Sequence, residues 1–235
     1  MKYKTTLNFF FEGGVGNAER RLLDIPQEWA FDETNKTAYL WADDGGNPGG
    51  REIRGKVQDY AVRGDAATKH IVIDGLNFFA TAFSFHHSDD IRIQNCRFDY
   101  YTASKRALGD TGPSKTVEFV GSAEDFCVGN TVYNCEFRHA DGSGLSGDYV
   151  ENFIIQNNLF HQIDYACVNN DTGPGNPFQP SNAIEMNKVR NLAYRRNTLS
   201  VSGNAQSFSA NRYRTGSAKR WFPGRYVAEE IGAIV

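Results

Sequence analysis

The sequence predicts an all-β protein, a β-solenoid in which short strands are stacked as successive coils. Three observations support this prediction: one short phrase recurs along the chain, its apolar residues alternate with a period of two, and no long segment shows helical periodicity. Repeats of this kind are units that cannot bury their apolar faces alone. They are therefore expected to stack on one another.

The recurring phrase consists of alternating apolar residues, a polar or glycine corner, and a large apolar residue that closes it. Its copies are IVIDGLNF (71–78), IRIQNCRF (91–98), TVYNCEF (131–137), IIQNNLF (154–160) and AYRRNTL (193–199). The closing residues are separated by 20, 39, 23 and 39 positions, so each long interval is either two units or one unit with a loop excursion. β-Branched and aromatic residues dominate the phrase, which favours strands.

Residues at equal offsets from the closing residue are expected to align along the stacking axis. The closing phenylalanines should form an internal aromatic ladder: Phe78, Phe98, Phe137 and Phe160. A polar ladder is expected three places earlier, at a corner of the coil: Asn95, Asn134 and Asn157. Their side-chain amides would hydrogen-bond to neighbouring coils. Asn95 belongs to this ladder only if the 39-residue interval before Phe137 is a single coil.

Composition and charge exclude several classes of function. The 235 residues are enough for one large domain or two small ones. A net charge of −3 provides no basic field for nucleic acid. No apolar run reaches the length of about eighteen residues that a membrane span needs. The apolar stretch in the opening MKYKTTLNFFFEGG is too short and broken for a signal peptide, so we expect a start after a removed signal or inside a longer gene.

Four cysteines, at positions 96, 127, 135 and 167, form no CxxC pair, which argues against a zinc site. We expect buried thiols that pack as small apolar residues, with a disulfide framework as the alternative. The redox compartment stays open on either interpretation.

The repeated IxxN(C/N)xF phrase, with its asparagine ladder, resembles the right-handed parallel β-helix superfamily, which has the pectin-lyase-like fold. A second stretch, NAERRLLDIPQEWAFDETNKTAYLWADDGGNP (17–48), resembles a segment of many bacterial β-helix repeat proteins related to glycoside hydrolases. The residues that carry this second resemblance are Leu23, Asp24, Pro26, Glu28, Trp29, Asp32, Tyr39, Leu40 and Trp41. The two resemblances imply a right-handed parallel β-helix with loop excursions in a carbohydrate-active protein.

The resemblance also implies a division of the chain. Residues 1–54 are expected to form an N-terminal capping segment, residues 55–215 the parallel β-helix of five or six coils, and residues 216–235 a C-terminal tail. Exposed coil ends need caps, and self-association is a second way to cover them. Family members of this kind imply a secreted or periplasmic origin.

Two stretches place aspartates at equal offsets behind a phenylalanine: FRHADGSGLSGD (137–148) and FHQIDYACVNND (160–171). Asp141 and Asp164 lie four places after it, and Asp148 and Asp171 lie eleven places after it. If the stretches occupy neighbouring coils, the members of each pair are about 5 Å apart at the backbone, where stacked like charges are unfavourable. Such pairs either bind a cation, share a proton, or are turn-forming residues that point into solvent.

Asp141 and Asp164 are the candidate catalytic pair. Retaining glycosidases hold two carboxyl groups about 5–5.5 Å apart, and inverting ones hold them about 6.5–9.5 Å apart. Glu185 is a third candidate catalytic residue on the same face, because it follows Ile184, which is expected to point inward.

For Asp148 and Asp171, the glycine neighbours and the chain's exit from a strand favour a structural turn, with a calcium site as the alternative. Leu145 and Val168 share an offset of eight from the closing phenylalanine and are both expected to face inward. No other metal site is predicted.

The candidate substrate-binding residues are His139, His161, Tyr101, Lys105, Arg106 and Arg212. Histidines donate hydrogen bonds to sugars, aromatic rings stack on sugar faces, and cations pair with uronate carboxylates. Three of these residues lie in YYTASKRALGDTGPSK (100–115), which is expected to be a loop excursion. For each of them, an ordinary surface position is the alternative.

These residues predict a protein that cleaves glycosidic bonds of a polysaccharide or oligosaccharide with a carboxylate pair in a β-helix groove. Two alternatives stay open: a noncatalytic glycan-binding or structural β-helix module, as in adhesins and tailspikes, and a polysaccharide lyase. Hydrolysis with two carboxylates requires no cofactor, although calcium is compatible with the acidic pairs. No GxSxG, HExxH or P-loop motif occurs.

Overall fold

The computed structural model describes residues 29–32, 34–42, 44–47, 58–102, 116–140, 142–164, 182–200, 208–212 and 227–229. Within these ranges the chain forms strands, turns and bends and contains no helix. No membrane-spanning helix is therefore found among them. The all-β prediction is confirmed for this part of the chain.

The strands in chain order are β1 (Trp29–Asp32), β2 (Thr37–Leu40), β3 (Tyr60–Gly64), β4 (Val72–Asp74), β5 (Asn77–Phe79), β6 (Ala82–His86), β7 (Arg92–Gln94), β8 (Arg97–Asp99), β9 (Val117–Val120), β10 (Cys127–Val128), β11 (Thr131–Tyr133), β12 (Glu136–Ala140), β13 (Leu145–Asp148), β14 (Val150–Gln156), β15 (Leu159–Ile163), β16 (Ile184–Arg195), β17 (Thr198–Ser200), β18 (Phe208–Arg212) and β19 (Val227–Glu229). Strands β1 and β2 form an antiparallel hairpin of their own. All other strand pairs in the described ranges are parallel.

The parallel strands form one twelve-stranded and one five-stranded sheet. The larger sheet has two sections that meet at the long strand β16. Section one contains β3, β6, β9, β13, β18 and the start of β16, and section two contains β4, β7, β10, β11, β14, β19 and the end of β16. The five-stranded sheet contains β5, β8, β12, β15 and β17.

The chain visits these surfaces in one repeating order: section one, section two, then the five-stranded sheet. We call each such stretch a pass. Phe137 pairs in register with both Phe98 and Phe160, and Phe160 also pairs with Leu199. Each 39-residue interval is therefore a single pass with an excursion, not two units.

The closing phenylalanines form the predicted internal ladder. Neighbouring ring centroids are 5.2 Å apart for Phe78 and Phe98, 4.9 Å for Phe98 and Phe137, and 4.6 Å for Phe137 and Phe160, and all three ring pairs are stacked. Three of the rings are buried, and Phe78, in the first pass, is partly buried against the core. The strands' alternation places these residues inside because the opposite face carries the polar neighbours.

The predicted asparagine ladder is also confirmed. Asn157 Nδ2 donates to Asn134 Oδ1 at 2.9 Å, and Asn134 Nδ2 donates to Asn95 Oδ1 at 2.7 Å. The chain of bonds ends at Asp74, whose Oδ1 accepts from Asn95 Nδ2 at 2.7 Å. All three asparagines are exposed and have φ between 50° and 58°, in the left-handed region that asparagine tolerates. We call these three residues the exposed asparagine row.

A second asparagine row lies inside the protein and was not predicted. Asn158 and Asn197, two places before their closing residues, are buried. Asn158 Oδ1 accepts from the Cys135 amide at 2.8 Å, and Asn158 Nδ2 donates to the Val132 carbonyl at 3.0 Å. Asn197 Oδ1 accepts from the Asn158 backbone N–H at 3.0 Å, and Asn197 Nδ2 donates to the Ile155 carbonyl at 2.9 Å. We call Asn158 and Asn197 the buried asparagine row.

The cysteines follow the same internal offset. Cys96 and Cys135 lie two places before Phe98 and Phe137. Each thiol donates to the backbone carbonyl two positions earlier in the chain. Cys96, Cys127 and Cys135 are free and buried, which confirms the expectation of buried thiols for these three. Cys167 lies outside the described residues.

The expected register of Asp148 with Asp171 is wrong. In section one, Asp148 pairs with Asn187 on one side and Val120 on the other, and Leu145 pairs with Ile184 and Val117. The excursion over 165–181 comes before the next strand of this section, so equal offsets in sequence do not continue into it. Asp171 and Val168 themselves lie outside the described residues.

Candidate active face on section one

One register row of section one is polar along its whole length. Its members, one from each strand, are Arg63, Ser84, Glu118, Ser146, Glu185 and Ser209. We call them the polar row. The residues before and after it in β9, β13 and β16 are buried, so alternation along the strands places Glu118, Ser146 and Glu185 on the outer face, whereas Ser84 is itself buried.

Glu118 is the best-supported member of the polar row. Its Oε1 accepts hydrogen bonds from the Tyr60 hydroxyl at 2.6 Å and from Ser84 Oγ at 2.7 Å. Ser84 lies on the adjacent strand β6 and Tyr60 on β3, one strand further, so the carboxylate is oriented by two bonds to one of its two oxygens. Charge-assisted hydrogen bonds of this length are stronger than those between neutral groups. Glu118 is therefore a fixed carboxylate and not a freely rotating surface side chain.

Tyr60 and His86 complete the surroundings of Glu118. Burial, and after it the neighbouring Glu118 carboxylate, raises the pKa of Tyr60, so its hydroxyl stays protonated and donates. His86 Nε2 lies 3.6 Å from Glu118 Oε1, and its side chain is half exposed. The Tyr60 hydroxyl and the His86 imidazole therefore both lie close to the Glu118 carboxylate.

Glu185 lies on the same face, two strands away from Glu118. Ser146 lies between them, in register with both. Because neighbouring strands are about 4.8 Å apart, the two glutamates are about 10 Å apart at their Cα atoms. Ile184 is buried and Glu185 is partly exposed, as the sequence predicted for this pair. The arrangement holds two carboxylates apart with a small hydroxyl side chain between them.

Three of the segments that link the five-stranded sheet to section one lead into the strands that carry the polar row. The segments 103–115, 165–181 and 201–207 lie outside the described residues, but their attachment points are described. Each of them precedes a strand of section one, namely β9, β16 or β18, and the polar row is the second position of β9, β13, β16 and β18. Glu118, Glu185 and Ser209 are therefore each a few residues after one of these segments in the sequence.

The predicted Asp141 and Asp164 pair is only partly described. Asp164 follows β15, is fully buried, and has a φ of 53°. Asp141 lies outside the described residues, although Ala140 directly before it pairs with Ile163, directly before Asp164. The distance between the two carboxyl groups stays a prediction. In this structure Asp164 has no exposed surface to offer a substrate.

His139 and His161 lie near each other on the five-stranded sheet, with ring centroids 6.3 Å apart. His139 Nδ1 lies 2.8 Å from Asp99 Oδ1, and its ring stacks on Tyr100 at 4.5 Å. His161 Nδ1 lies 3.3 Å from Ser200 Oγ. Burial, followed by the charges of Arg138 and His139, lowers the pKa of His161. This histidine pair belongs to a different sheet from Glu118 and Glu185.

Tyr101 is a core residue, which corrects the expectation that its ring is open to a sugar. It is fully buried against Phe98 and Phe137, and its hydroxyl donates to the Gly144 carbonyl at 3.0 Å. Burial raises the pKa of Tyr101 well above its usual range. The tyrosine is buried because it falls at an inward position after β8, before the excursion begins.

Three other predicted residues are described in part or not at all. Lys105 and Arg106 lie outside the described residues. Arg212 ends β18, with its backbone in register with Val189, and its side chain is not described. Their roles in substrate binding stay predictions.

Asp148, a possible calcium ligand, forms an ion pair with Lys188, and calcium binding by Asp148 and Asp171 stays a prediction. Lys188 Nζ lies 3.2 Å from its carboxylate and 4.1 Å from the centre of the Tyr149 ring. The Asp148 carboxylate raises the pKa of Lys188 by hydrogen bonding. No group of three or more histidine, cysteine, aspartate or glutamate side chains that could hold a metal ion occurs in the described ranges.

Sequence reasoning missed Glu118 and its partners Tyr60, Ser84 and His86. The signal was present in TVEFV (116–120), where a polar residue stands between two buried ones, as Glu185 does between Ile184 and Met186. The phrase used to find repeats contains only strands of section two and the five-stranded sheet. It therefore gave no register for section one.

Neither a family model, nor a curated protein, nor a solved structure matches this chain.

Proposed function

We propose that this chain cleaves glycosidic bonds of a polysaccharide on the outer face of section one, with Glu118 and Glu185 as the carboxylate pair. The observation that carries the proposal is the register Glu118–Ser146–Glu185, which places two glutamates on one face with one strand between them. In the same proposal, the repeated passes are the coils of a right-handed parallel β-helix.

The spacing of the pair favours inversion at the sugar carbon. Two strand spacings are about 10 Å, and flexible glutamate side chains bring the carboxyl groups into the range of about 6.5–9.5 Å that leaves room for a water molecule. Ser146 between them has a small side chain, so the space over it is not filled by the row itself. A glycosidic oxygen near one carboxyl and a water near the other fit this gap.

Glu118 has the surroundings of a general base. Tyr60 and Ser84 both donate to its Oε1, and no described residue donates to its Oε2, which is left for a water molecule. Among the described residues, Glu185 accepts one long hydrogen bond, from Asn187 Nδ2 at 3.5 Å. Glu185 is therefore the general acid, which protonates the leaving oxygen.

The proposed reaction consumes one water molecule for each glycosidic bond that it cleaves. Glu118 removes a proton from water as the water oxygen bonds to the anomeric carbon, and the bond to the leaving oxygen breaks. Glu185 gives its proton to that oxygen. Deprotonated Glu185 and protonated Glu118 exchange protons with solvent to restore the starting state. His86 lies beside Glu118 and binds a substrate hydroxyl or the water in this scheme.

Cleavage of a polysaccharide panel tests the proposal. The parent chain should release new reducing ends from at least one neutral or acidic polysaccharide. Glu118→Gln and Glu185→Gln should each lower kcat by at least about 100-fold, as expected for loss of a general acid or base. Glu124→Gln is the control, because Glu124 is exposed and outside the polar row. It should leave kcat unchanged.

Three outcomes would overturn the proposal. Loss of activity in Asp164→Asn with full activity in Glu118→Gln would favour the aspartate pair. Products with unsaturated-uronate absorbance would indicate a lyase. Glycan binding without any cleavage by the parent chain would indicate a noncatalytic module. NMR of the first-formed product distinguishes inversion from retention.

A further inference from the structure

A groove of about 610 Å³ runs along the corner between section two and the five-stranded sheet. It is lined by the exposed asparagine row and by strand residues that include Arg97, Glu136 and Leu159. We call it the amide groove. Cys96, Cys135 and Asn158 also line it, and all three are buried residues. The groove is on a different part of the molecule from Glu118 and Glu185, which belong to section one.

The amides along the groove are held in place by one another. Asn134 donates to Asn95 and accepts from Asn157, and Asn95 accepts from Asn134 and donates to Asp74. A side-chain amide has two N–H donors and two acceptor lone pairs. Each of these asparagines therefore keeps one donor and one acceptor position for a ligand, without a further rotamer change. Repetition at the strand spacing gives such a pair of positions about every 4.8 Å.

Arg97, Glu136 and Leu159, which we call the floor of the groove, already use their backbone amides for strand pairing. Arg97 N donates to Leu76 O, Glu136 N to Cys96 O, and Leu159 N to Cys135 O, each at 2.9 Å. A peptide that binds by strand addition needs unpaired backbone groups at a sheet edge, and this floor offers none at these positions. A peptide strand is therefore not the ligand that the groove fits.

Three charged residues line the groove, Arg97, Glu136 and Arg196, and the first two have local ion pairs. Arg97 Nη2 lies 2.8 Å from Asp99 Oδ2, and Glu136 Oε2 lies 3.0 Å from Arg138 Nε. An anionic ligand would compete with Asp99 for Arg97 and would meet Glu136. A neutral chain of hydroxyl groups has neither penalty, because each hydroxyl both donates and accepts.

We propose that the amide groove binds a linear, neutral oligosaccharide lying along the exposed asparagine row, as a site separate from the cleavage face. Side-chain amides exchange hydrogen bonds with its hydroxyls at successive passes. This proposal shares with the proposed function only the chemical class of the ligand. Its test therefore uses a readout that cleavage does not move.

The test is an NMR titration of the full chain carrying Glu118→Gln, so that substrate is not consumed. The probes are β-1,4-linked hexasaccharides of glucose, mannose and xylose, with hexagalacturonate as the acidic probe. We expect at least one neutral probe to shift the side-chain amide signals of Asn95, Asn134 and Asn157. The double variant Asn134→Gly/Asn157→Gly should weaken that binding at least about tenfold, the effect of one or two lost hydrogen bonds.

Glycine is chosen because the same corner accommodates Gly75 in an earlier pass, at a φ of 71°. The matched control is Asn152→Gly. Asn152 is also exposed and left-handed, and it accepts a hydrogen bond from Asn191 Nδ2 at 3.0 Å, but it does not line the groove. This control should leave the affinity unchanged.

Several results would overturn the proposal: unmoved amide signals with all probes, shifts with the acidic probe alone, or equal weakening by Asn152→Gly. Failure of the proposed function looks different. In that case the parent chain cleaves no polysaccharide while the amide signals still respond to a neutral probe.

Discussion

The two asparagine rows differ in what their amides bond to. In the exposed row, asparagine bonds to asparagine, and water reaches the same groups. In the buried row, Asn158 and Asn197 bond mainly to backbone amides and carbonyls that have no access to water. An exposed side chain that loses a hydrogen bond to its neighbour can form one to water. A buried backbone group that loses its partner is left unpaired. The same residue type therefore contributes very different amounts to stability one position apart in the chain.

Replacing the buried Asn158 should have the largest effect. Asn158→Leu leaves the Cys135 amide and the Val132 carbonyl without this partner, and each buried unpaired group costs about 1–3 kcal/mol. We expect the free energy of unfolding to fall by about 4 kcal/mol, measured by denaturant titration. The control is the neighbouring Asn157→Gly. A smaller loss for Asn158→Leu than for this control would reverse the comparison.

Asn158→Cys sharpens the same comparison. Cys96 and Cys135 already occupy this offset, and their thiols donate to carbonyls. A thiol at position 158 can donate weakly to the Val132 carbonyl, but it is a poor acceptor for the Cys135 amide. The loss should fall between those of Asn158→Leu and Asn157→Gly.

In the exposed row, backbone conformation should matter more than the lost amide. Asn134 has a φ of 50°, where alanine is strained by about 1–2 kcal/mol and glycine is not. Asn134→Ala should therefore be less stable than Asn134→Gly by about 1 kcal/mol, in denaturant titrations of both variants. Equal stabilities of the two variants would show that the corner relaxes and that the left-handed backbone is not enforced.

The smallest effect is expected at the end of the exposed row, where it meets Asp74. Hydrogen bonds from Asn95 and Gln94 hold the pKa of Asp74 below its usual range. A depressed folded pKa contributes stability above the unfolded value, and that contribution is lost as pH falls through the folded pKa. Asn95→Gly should raise the pKa of Asp74. The pH range over which the ionised Asp74 carboxylate stabilises the fold should then end at a higher pH.

A carbon-13 NMR titration of the Asp74 carboxyl measures the shift directly. Asn152→Gly serves again as the control, since Asn152 bonds to Asn191 and does not belong to the chain of hydrogen bonds that ends at Asp74. An unchanged Asp74 pKa in Asn95→Gly would mean that Gln94 alone lowers it.

The alignment of neighbouring passes could be predicted from the sequence at positions where the same type of side chain recurs at the same offset. Phe98, Phe137 and Phe160 repeat at one offset, and an aromatic residue has a strong preference for the interior. Asn134 and Asn157 repeat three places earlier because the corner needs a left-handed residue. The buried row was missed because Asn157 and Asn158 are the same residue type, and only burial distinguishes them.

The candidate site was less predictable. Glu185 was found because Ile184 beside it is clearly apolar. Glu118 was missed because its partners, Tyr60 and Ser84, are 58 and 34 positions away, and excursions of unequal length separate the strands of section one. Equal offsets, which correctly aligned Phe137 with Phe160, failed for Asp148 and Asp171 for the same reason.

The single-pass nature of the 39-residue intervals has a consequence for chain insertions. The entropy cost of closing a loop rises only with the logarithm of its length, so a pass of 39 residues costs about 0.6 kcal/mol more to close than one of 20. Lengthening the segment between Thr102 and Thr116 should therefore scarcely affect the alignment of Phe98 with Phe137. New residues would be added next to Glu118 while the strands keep their partners. Variation in the surroundings of the polar row is thus nearly independent of the stability of the sheets that carry it.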